Sequence, residues 1–406
     1  MFRNPAVWFV LLTVMVDAIG IGLMMPVMPQ LLQEINAGSL ANAALWGGVM
    51  STTFAAMQFL FGPLVGAISD RFGRRRVILV SLSVMAIDYV IIGVAHAMWV
   101  LIVARILGGI TAANHSAAAA VIADISKPEE KAANFGLIGA AFGIGFILGP
   151  VLGGFAAEFG SRAPFYLAAV LVGFVAVLGY FVLPETLAAE NRRDFDMERA
   201  QPFGAFASIG KLPGQLRMLI VYFFNEFAFM VYPAVWSFYV IGKFGWEEWL
   251  IGLSLGAFGL GMAFSQGFLI RKIIPSLGES NTLILGLIMQ AATMLGFAVA
   301  PATWFVFALL PISALGLLAG PAMQGILSRA TPDNAQGELQ GVISSTRAVS
   351  AIVAPMVMTG LFYQATAPEL SQKFYGAPFV LSASLILIAL TIFVSWRRTA
   401  ELAPRT

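Results

Sequence analysis

Gly66-Ala67-Ile68-Ser69-Asp70-Arg71-Phe72-Gly73-Arg74-Arg75-Arg76 is the run that decides how this chain folds. It holds four arginines and one aspartate, and apolar sequence flanks it, Trp46 to Ile68 before and Val77 to Val94 after. Each flank is long enough to cross a hydrocarbon layer of about 30 Å as a helix. Two spans joined by a tight basic turn form a membrane hairpin. Short basic loops stay on the cytoplasmic side, so the turn fixes its own side of the membrane. Alternation then fixes the direction of every other span.

Composition points the same way. The 406 residues are 59% hydrophobic and 11% charged, with a mean hydropathy of +0.87. A soluble domain is about a quarter charged and could not bury this much apolar side chain in one core. The net charge of +2 gives no reason to expect nucleic acid as a partner. The chain has no cysteine, which excludes disulfides and thiolate metal sites. The apolar run that follows residues 1–4 continues to about residue 32, so it is expected to be a retained first span rather than a cleaved signal.

Apolar segments recur at 6–34, 42–69, 76–95, 98–124, 132–158 and 163–184, and again at 214–241, 249–271, 280–300, 302–328, 339–365 and 376–396. All twelve have helix length, whereas barrel strands would alternate over about ten residues. The one long polar stretch, 185–213, reads as a cytoplasmic linker between an N-terminal six-helix bundle (1–184) and a C-terminal one (214–406). With the first terminus inside, 18 of the 23 basic residues fall on the inner side. Arg162, Lys243 and Lys373 fall outside, and Arg105 and Arg347 lie within spans. This bias predicts that both termini are cytoplasmic. The halves read as a diverged duplication. Pro150 of the fifth span has a counterpart in Pro355 of the eleventh, and the basic turn has an echo in Arg271-Lys272 before Leu277-Gly278. Repeated halves are a common plan of secondary transporters.

Ionisable residues inside spans cost about 2.5–3.5 kcal/mol each at mid-helix, so they mark function. They are Asp17, Asp88, Arg105, His115 beside Asn114, Glu226 and Arg347. Glu226 and Arg347 lie at equal depth on the seventh and eleventh spans, which predicts a pair, either coupled to protons or purely structural. Asp17, Arg105, Glu226 and Arg347 are the proton-coupling candidates. Candidates for the substrate cavity are His115, Asn114, Tyr222, Tyr232, Trp236 and Gln290, the aromatic ones because rings suit amphipathic compounds. His115 serves equally well as a structural hydrogen-bonding residue. On the fifth span Gly145, Gly149, Gly153 and Gly154 thin one face and Pro150 bends the helix. Tight packing and a moving hinge both fit that pattern.

Three stretches resemble the major facilitator superfamily, specifically its twelve-helix drug/proton antiporters. They are Gly66-x-x-x-Asp70-Arg71-x-Gly73-Arg74-Arg75, Leu101-x-x-x-Arg105-x-x-Gly108-Gly109-x-Thr111, and Gly145-x-x-x-Gly149-Pro150-x-x-Gly153-Gly154. Asp17-Ala-Ile-Gly20-Ile-Gly22, Asp88-Tyr89, Val121-Ile-Ala-Asp124 and Phe244-Gly245-Trp246 resemble bacterial tetracycline/proton antiporters over nearly the whole chain. The resemblance implies an all-α integral membrane protein of twelve transmembrane helices in two pseudo-symmetric six-helix bundles. It implies a conformational latch built from Gly66, Asp70, Arg71, Gly73, Arg74 and Asp124, with Asp70 near the start of the eleventh helix and Arg71 reaching Asp124. The residues alone also allow a loop that only sets topology. The resemblance further implies a His in the eighth helix and an Asp in the ninth. Met262 and Gln290 stand there instead, so tetracycline is not expected as the natural substrate.

The function expected is proton-coupled export of small amphipathic compounds by alternating access. Asp17 and Glu226 would alternate between protonated and ionised states, and Arg105 would favour the ionised form of a neighbouring carboxylate. Uptake or facilitated diffusion of a metabolite on the same fold is the alternative. No nucleophile–base pair, metal-ligand cluster or phosphate loop points to an enzyme. The expected partners are the substrate, protons and the lipid bilayer, with no nucleic acid, cofactor or metal, for a monomer in the bacterial inner membrane.

Overall fold

The computed structural model describes residues 5–36, 38–112, 114–126, 131–188, 190, 192, 201 and 215–402, with the side chains of 5, 114–116, 131–133, 333 and 398–402 outside the description. Fifteen α-helices follow one another among these residues. In the first half they are α1 (Pro5–Asn36), α2 (Leu40–Phe72), α3 (Arg74–Val94), α4 (Met98–Thr111), α5 (Asn114–Ile125), α6 (Lys131–Ala157) and α7 (Ala163–Val182). In the second half they are α8 (Leu216–Phe229), α9 (Val231–Phe244), α10 (Glu248–Phe264), α11 (Ile270–Val299), α12 (Thr303–Gly316), α13 (Ala319–Arg329), α14 (Gln336–Thr366) and α15 (Ala377–Leu402). A π-turn, Ser265–Leu269, joins α10 to α11.

These helices make twelve crossings. Ten helical stretches are long and apolar enough to span a membrane. One of them, Glu248–Val299, is 52 residues long, about 78 Å at helical rise, and must cross twice. It turns at Gly278, whose φ of 75° and ψ of 162° leave the helical region. The twelfth crossing is α4 with α5, two short helices interrupted at Ala112. The Gln58 side chain of α2 donates to the carbonyl freed at that interruption, at 3.2 Å. Hydropathy cannot see such a break, because apolar residues continue through it.

The duplication is exact in register over three crossings of each half. Helix starts Met98, Asn114 and Lys131 match Thr303, Ala319 and Gln336, each 205 residues on. Gly73 and Gly278, and Pro150 and Pro355, are the same distance apart. Gly73 has φ 99° and ψ 151°, close to the values at Gly278. That region of backbone space is essentially reserved for glycine, so both sharp turns demand one.

Packing divides the chain into two compact units. The first holds Met1–Ser39, Met50–Pro202 and Trp246–Gly256; the second holds Leu40–Val49, Phe203–Gly245 and Ala257–Thr406. Most of the expected linker, 185–213, lies outside the described residues. In the first unit α1 packs on α6 along a seam of small residues. A Cβ at Gly145, Gly149 or Gly153 would run into the backbone of α1 near Met15, Ile19 and Leu23 respectively. Spaced four apart, these glycines share one face and let the backbones touch. Gly154 lies against the backbone of Glu248 and Trp249 in the same unit. The α6 helix runs unbroken through Pro150. In the second unit the core is aromatic. Tyr232, Trp236, Tyr239, Phe297 and Phe379 form one buried cluster, with Trp236 and Phe297 rings 5.1 Å apart at 82°.

Candidate functional site

Among the described residues, each unit shows an ion pair inside its spans. In the first unit, Arg105 of α4 donates through Nη2 to Asp88 Oδ2 of α3 at 2.7 Å, and both side chains are under 10% exposed (7% and 4%). The Phe54 ring of α2 lies 5.5 Å from the guanidinium carbon. Gly108, one turn past Arg105, leaves room for the carboxylate: a Cβ there would sit 2.9 Å from Asp88 Oδ2. The pair is joined by a single hydrogen bond. Asp88 Oδ1 and Arg105 Nε are buried without a hydrogen-bond partner among the described residues. A half-satisfied buried pair is costly to keep, which is why such pairs signal function more than stability.

Asp17 belongs to the same neighbourhood. Tyr89, next to Asp88 on α3, is fully buried within electrostatic reach of Asp17, Arg105 and Asp88. Its hydroxyl fits against α1 at Gly20, which lies one turn after Asp17 and has no side chain to block it. Asp17 itself is half-buried. Three helices therefore bring together Asp17, Asp88, Tyr89 and Arg105. Asp17 and Arg105 are coupling candidates from the sequence, and the structure adds Asp88 to them. The signal for Asp88 was its presence in a span, and the spacing from Asp88 to Arg105 crosses a turn that the sequence does not measure.

In the second unit, Arg347 of α14 donates through Nε to Glu226 Oε2 of α8 at 3.0 Å and through Nη2 to the Tyr222 hydroxyl at 2.8 Å. The Gln324 side chain of α13 lies beside Tyr222. Tyr222 and Glu226 are one turn apart, so α8 presents both to the arginine. The pair is uneven: the Glu226 side chain is 14% exposed and that of Arg347 is 53% exposed. Tyr222 lies 205 residues beyond Asp17. The position that carries an acid in the first unit thus carries a phenol in the second.

The other two aromatic candidates go elsewhere. Tyr232 and Trp236 are core residues, 7% and 2% exposed, because edge-to-face contacts with Phe297 and Phe379 absorb them. Gln290 is buried against Gly316, with its Oε1 unpartnered among the described residues. The side chains of Asn114 and His115 lie outside the described residues; their backbone begins α5, just past the break at Ala112.

At the end of α2 the expected latch has a different arginine. Arg74, not Arg71, reaches Asp124, with Nε 3.3 Å from Oδ2, and it also holds Asp70 at 2.5 Å and Ser69 Oγ at 3.2 Å. The reason is the glycine turn. Gly73 swings Arg74 back over the end of α5, while Arg71 stays exposed over the Phe72 ring. The Arg74 amide and the Leu187 amide both donate to Glu185 Oε1, at 2.9 and 3.1 Å, which ties residue 185 to the turn. Gly66 has open space around it. The second unit repeats this arrangement with the charges exchanged: Glu279, after Gly278, pairs with Arg329 at the end of α13. Glu279 and Arg329 lie 205 residues beyond Arg74 and Asp124.

Known proteins match this chain along nearly its whole length. The family described as Major Facilitator Superfamily matches residues 10–355. The Escherichia coli tetracycline resistance protein, class C, is 36% identical over 391 residues, covering 96% of each chain. Multidrug resistance protein 2 of Bacillus subtilis is 28% identical over 401 residues, covering 97% of this chain and 96% of that one. The crystal structure of nucleoside transporter NupG superposes with a TM-score of 0.78 at 12% identity, over 97% of this chain and 99% of that one; at that identity the likeness speaks for the fold alone.

Proposed function

The chain belongs to the major facilitator superfamily, and on that premise we propose that it exports small amphipathic compounds by alternating access in exchange for protons. Full-length relatives named for tetracycline and multidrug resistance support export. The single structural observation that carries the coupling is the buried Asp88–Arg105 pair beside Asp17.

A proton carrier must lose and regain charge during the cycle. Asp88 has one oxygen on Arg105 and one without a partner among the described residues. Arg105 holds the ionised carboxylate, and burial favours the protonated one, so small movements of α3 against α4 shift the balance. Asp17, half-buried on α1, is the second carboxylate of the relay, with Tyr89 between them. Glu226 is a third carboxylate, paired with Arg347. Arg105 therefore acts first on Asp88. The Asp70–Arg74–Asp124 contacts latch the cytoplasmic end of the first bundle, and the Gly145–Gly154 segment of α6 is the seam along which α1 slides.

The same reading supplies the topology. Residues 1–184 and 214–406 form the two bundles, joined by a cytoplasmic linker. Both termini are cytoplasmic, on the bias of 18 inner to 3 outer basic residues. One outer arginine has a structural task in addition: Arg162 donates to the carbonyls of Gly93 and Ala95 at 2.8 and 2.6 Å, closing the end of α3. The protein works as a monomer in the bacterial inner membrane.

Expression in an efflux-deficient bacterium tests the direction. Export lowers susceptibility to amphipathic inhibitors, and Asp17→Asn removes that protection at unchanged protein level. Increased susceptibility would mean uptake.

A further inference from the structure

Arg347 is out of place for a purely structural ion pair. It stands twelve residues into α14, about 16 Å along the helix from its start and so at hydrocarbon depth. Yet 53% of its side chain is exposed, while its partner Glu226 is 14% exposed. A guanidinium does not face lipid tails at that depth. The rest of its face agrees. Gln340, Ser344 and Arg347, spaced four and three apart, are the exposed positions of that stretch of α14. Beyond them the exposed positions turn apolar, to Val353, Met356 and Val357. A polar stripe on one half of a membrane helix lines water.

The guanidinium has donors to spare. It carries five N–H groups. Nε is used by Glu226 and one N–H of Nη2 by Tyr222. The remaining donors have no hydrogen-bond partner among the described residues, and 53% of the side chain is exposed. Gln324, exposed on α13, adds an amide beside Tyr222 at the same edge. Phe223, half-buried and three residues before Glu226 on α8, offers an apolar ring on the same helix face, paired with Phe227 at 5.6 Å.

We propose that this edge of Arg347 binds the anionic group of the substrate, so that the amphipathic compounds carried are organic anions with an aromatic ring bearing a carboxylate or sulfonate. Arg347 supplies a charge-assisted, two-donor contact, and Tyr222 and Glu226 hold the guanidinium plane in place for it. Gln324 orients the head group, and the Phe223 ring meets the apolar body. Asp17, the residue equivalent to Tyr222 in the first unit, is an acid where Tyr222 is a phenol, so substrate and proton are handled by different halves. This assignment deepens the export reading and rests on it.

The test uses the purified full chain and three naphthalene probes of one shape: 2-naphthalenesulfonate, 2-naphthalenesulfonamide and 2-naphthyltrimethylammonium. Titration calorimetry should give the sulfonate a Kd about ten-fold or more below the other two, the scale of a hydrogen bond to a charged group. Arg347→Gln should erase that preference, and Arg347→Lys should keep part of it. Equal binding of the sulfonamide would reduce the site to ring contact and overturn the proposal. Tighter binding of the ammonium compound would show that Glu226, not Arg347, meets the ligand. A sulfonate preference that survives Arg347→Gln would place the cation elsewhere. Competition by sodium sulfate at equal concentration would reveal a site for any small anion. Should Arg347→Gln fail to fold, the three probes on the wild-type chain and on Arg347→Lys decide alone. The two readings fail separately. Sulfonate binding without pH-gradient-driven flux removes export and leaves the site, whereas flux of the ammonium compound with no sulfonate binding removes the site and leaves export.

Discussion

The two halves of this protein share a register and differ in how they keep their charges. Asp88–Arg105 is sealed, with both side chains under 10% exposed. Glu226–Arg347 is open on the arginine side. Neither pair has an ionic counterpart 205 residues away: Asp88 and Arg105 correspond to Thr293 and Leu310, and Glu226 and Arg347 to Ile21 and Phe142. The backbone was duplicated, but each half carries its own pair. A sealed pair can change state only by gaining or losing a proton. An open pair can also change partner. On the proposal above, that difference puts proton handling in the first unit and the substrate in the second.

The contrast breaks most visibly at the sealed pair. Asp88→Asn leaves Arg105 charged and unpaired in a buried site, a loss of about 3–5 kcal/mol. A sharply lower melting temperature in detergent is expected, with proton-driven transport abolished. Asp88→Asn together with Arg105→Gln should recover melting temperature without recovering transport. A single mutant that melts like wild type would mean that water reaches the pair and that it is not sealed.

The open pair should respond less. Glu226→Gln should cost less than Asp88→Asn, because the orphaned arginine is 53% exposed, whereas Arg347→Gln leaves the more buried Glu226 without its arginine. Their coupling, from the two single mutants and the double mutant, should lie within about 0.5–3 kcal/mol. Melting temperatures that simply add would show that the two residues do not interact.

The smallest effect on stability is expected at the latch. Asp70 is partly exposed, so Asp70→Asn should change stability by less than about 1 kcal/mol while transport falls. Since Arg74 and not Arg71 makes the contact with Asp124, Arg74→Gln should reproduce the transport defect and Arg71→Gln should not. Equal defects from the two arginines would return the run to a topological role.

Much of this was legible in the sequence, and the limits are physical. Hydropathy and the basic turn gave the twelve crossings, because lipid forces every span to satisfy its own backbone. The Glu226–Arg347 contact was legible from equal depth on two helices, which helical rise measures directly. Asp88–Arg105 was harder, since α3 and α4 meet through a turn and rotation about the helix axis decides who faces whom. The choice between Arg71 and Arg74 depended on the backbone of Gly73, where one residue reverses the direction of the next. Tyr232 and Trp236 looked like cavity residues because an aromatic side chain in a membrane helix has three fates, and only packing against Phe297 and Phe379 chose the core.

The central claim is that inward proton movement drives compounds outward, and vesicles of both orientations measure it directly. In inverted vesicles acidified inside, 2-naphthalenesulfonate or another amphipathic compound should accumulate, the accumulation should collapse on adding a protonophore, and Asp88→Asn vesicles should show none. In right-side-out vesicles energised in the same membrane, no accumulation is expected. Accumulation in the right-side-out vesicles and not in the inverted ones would contradict the account.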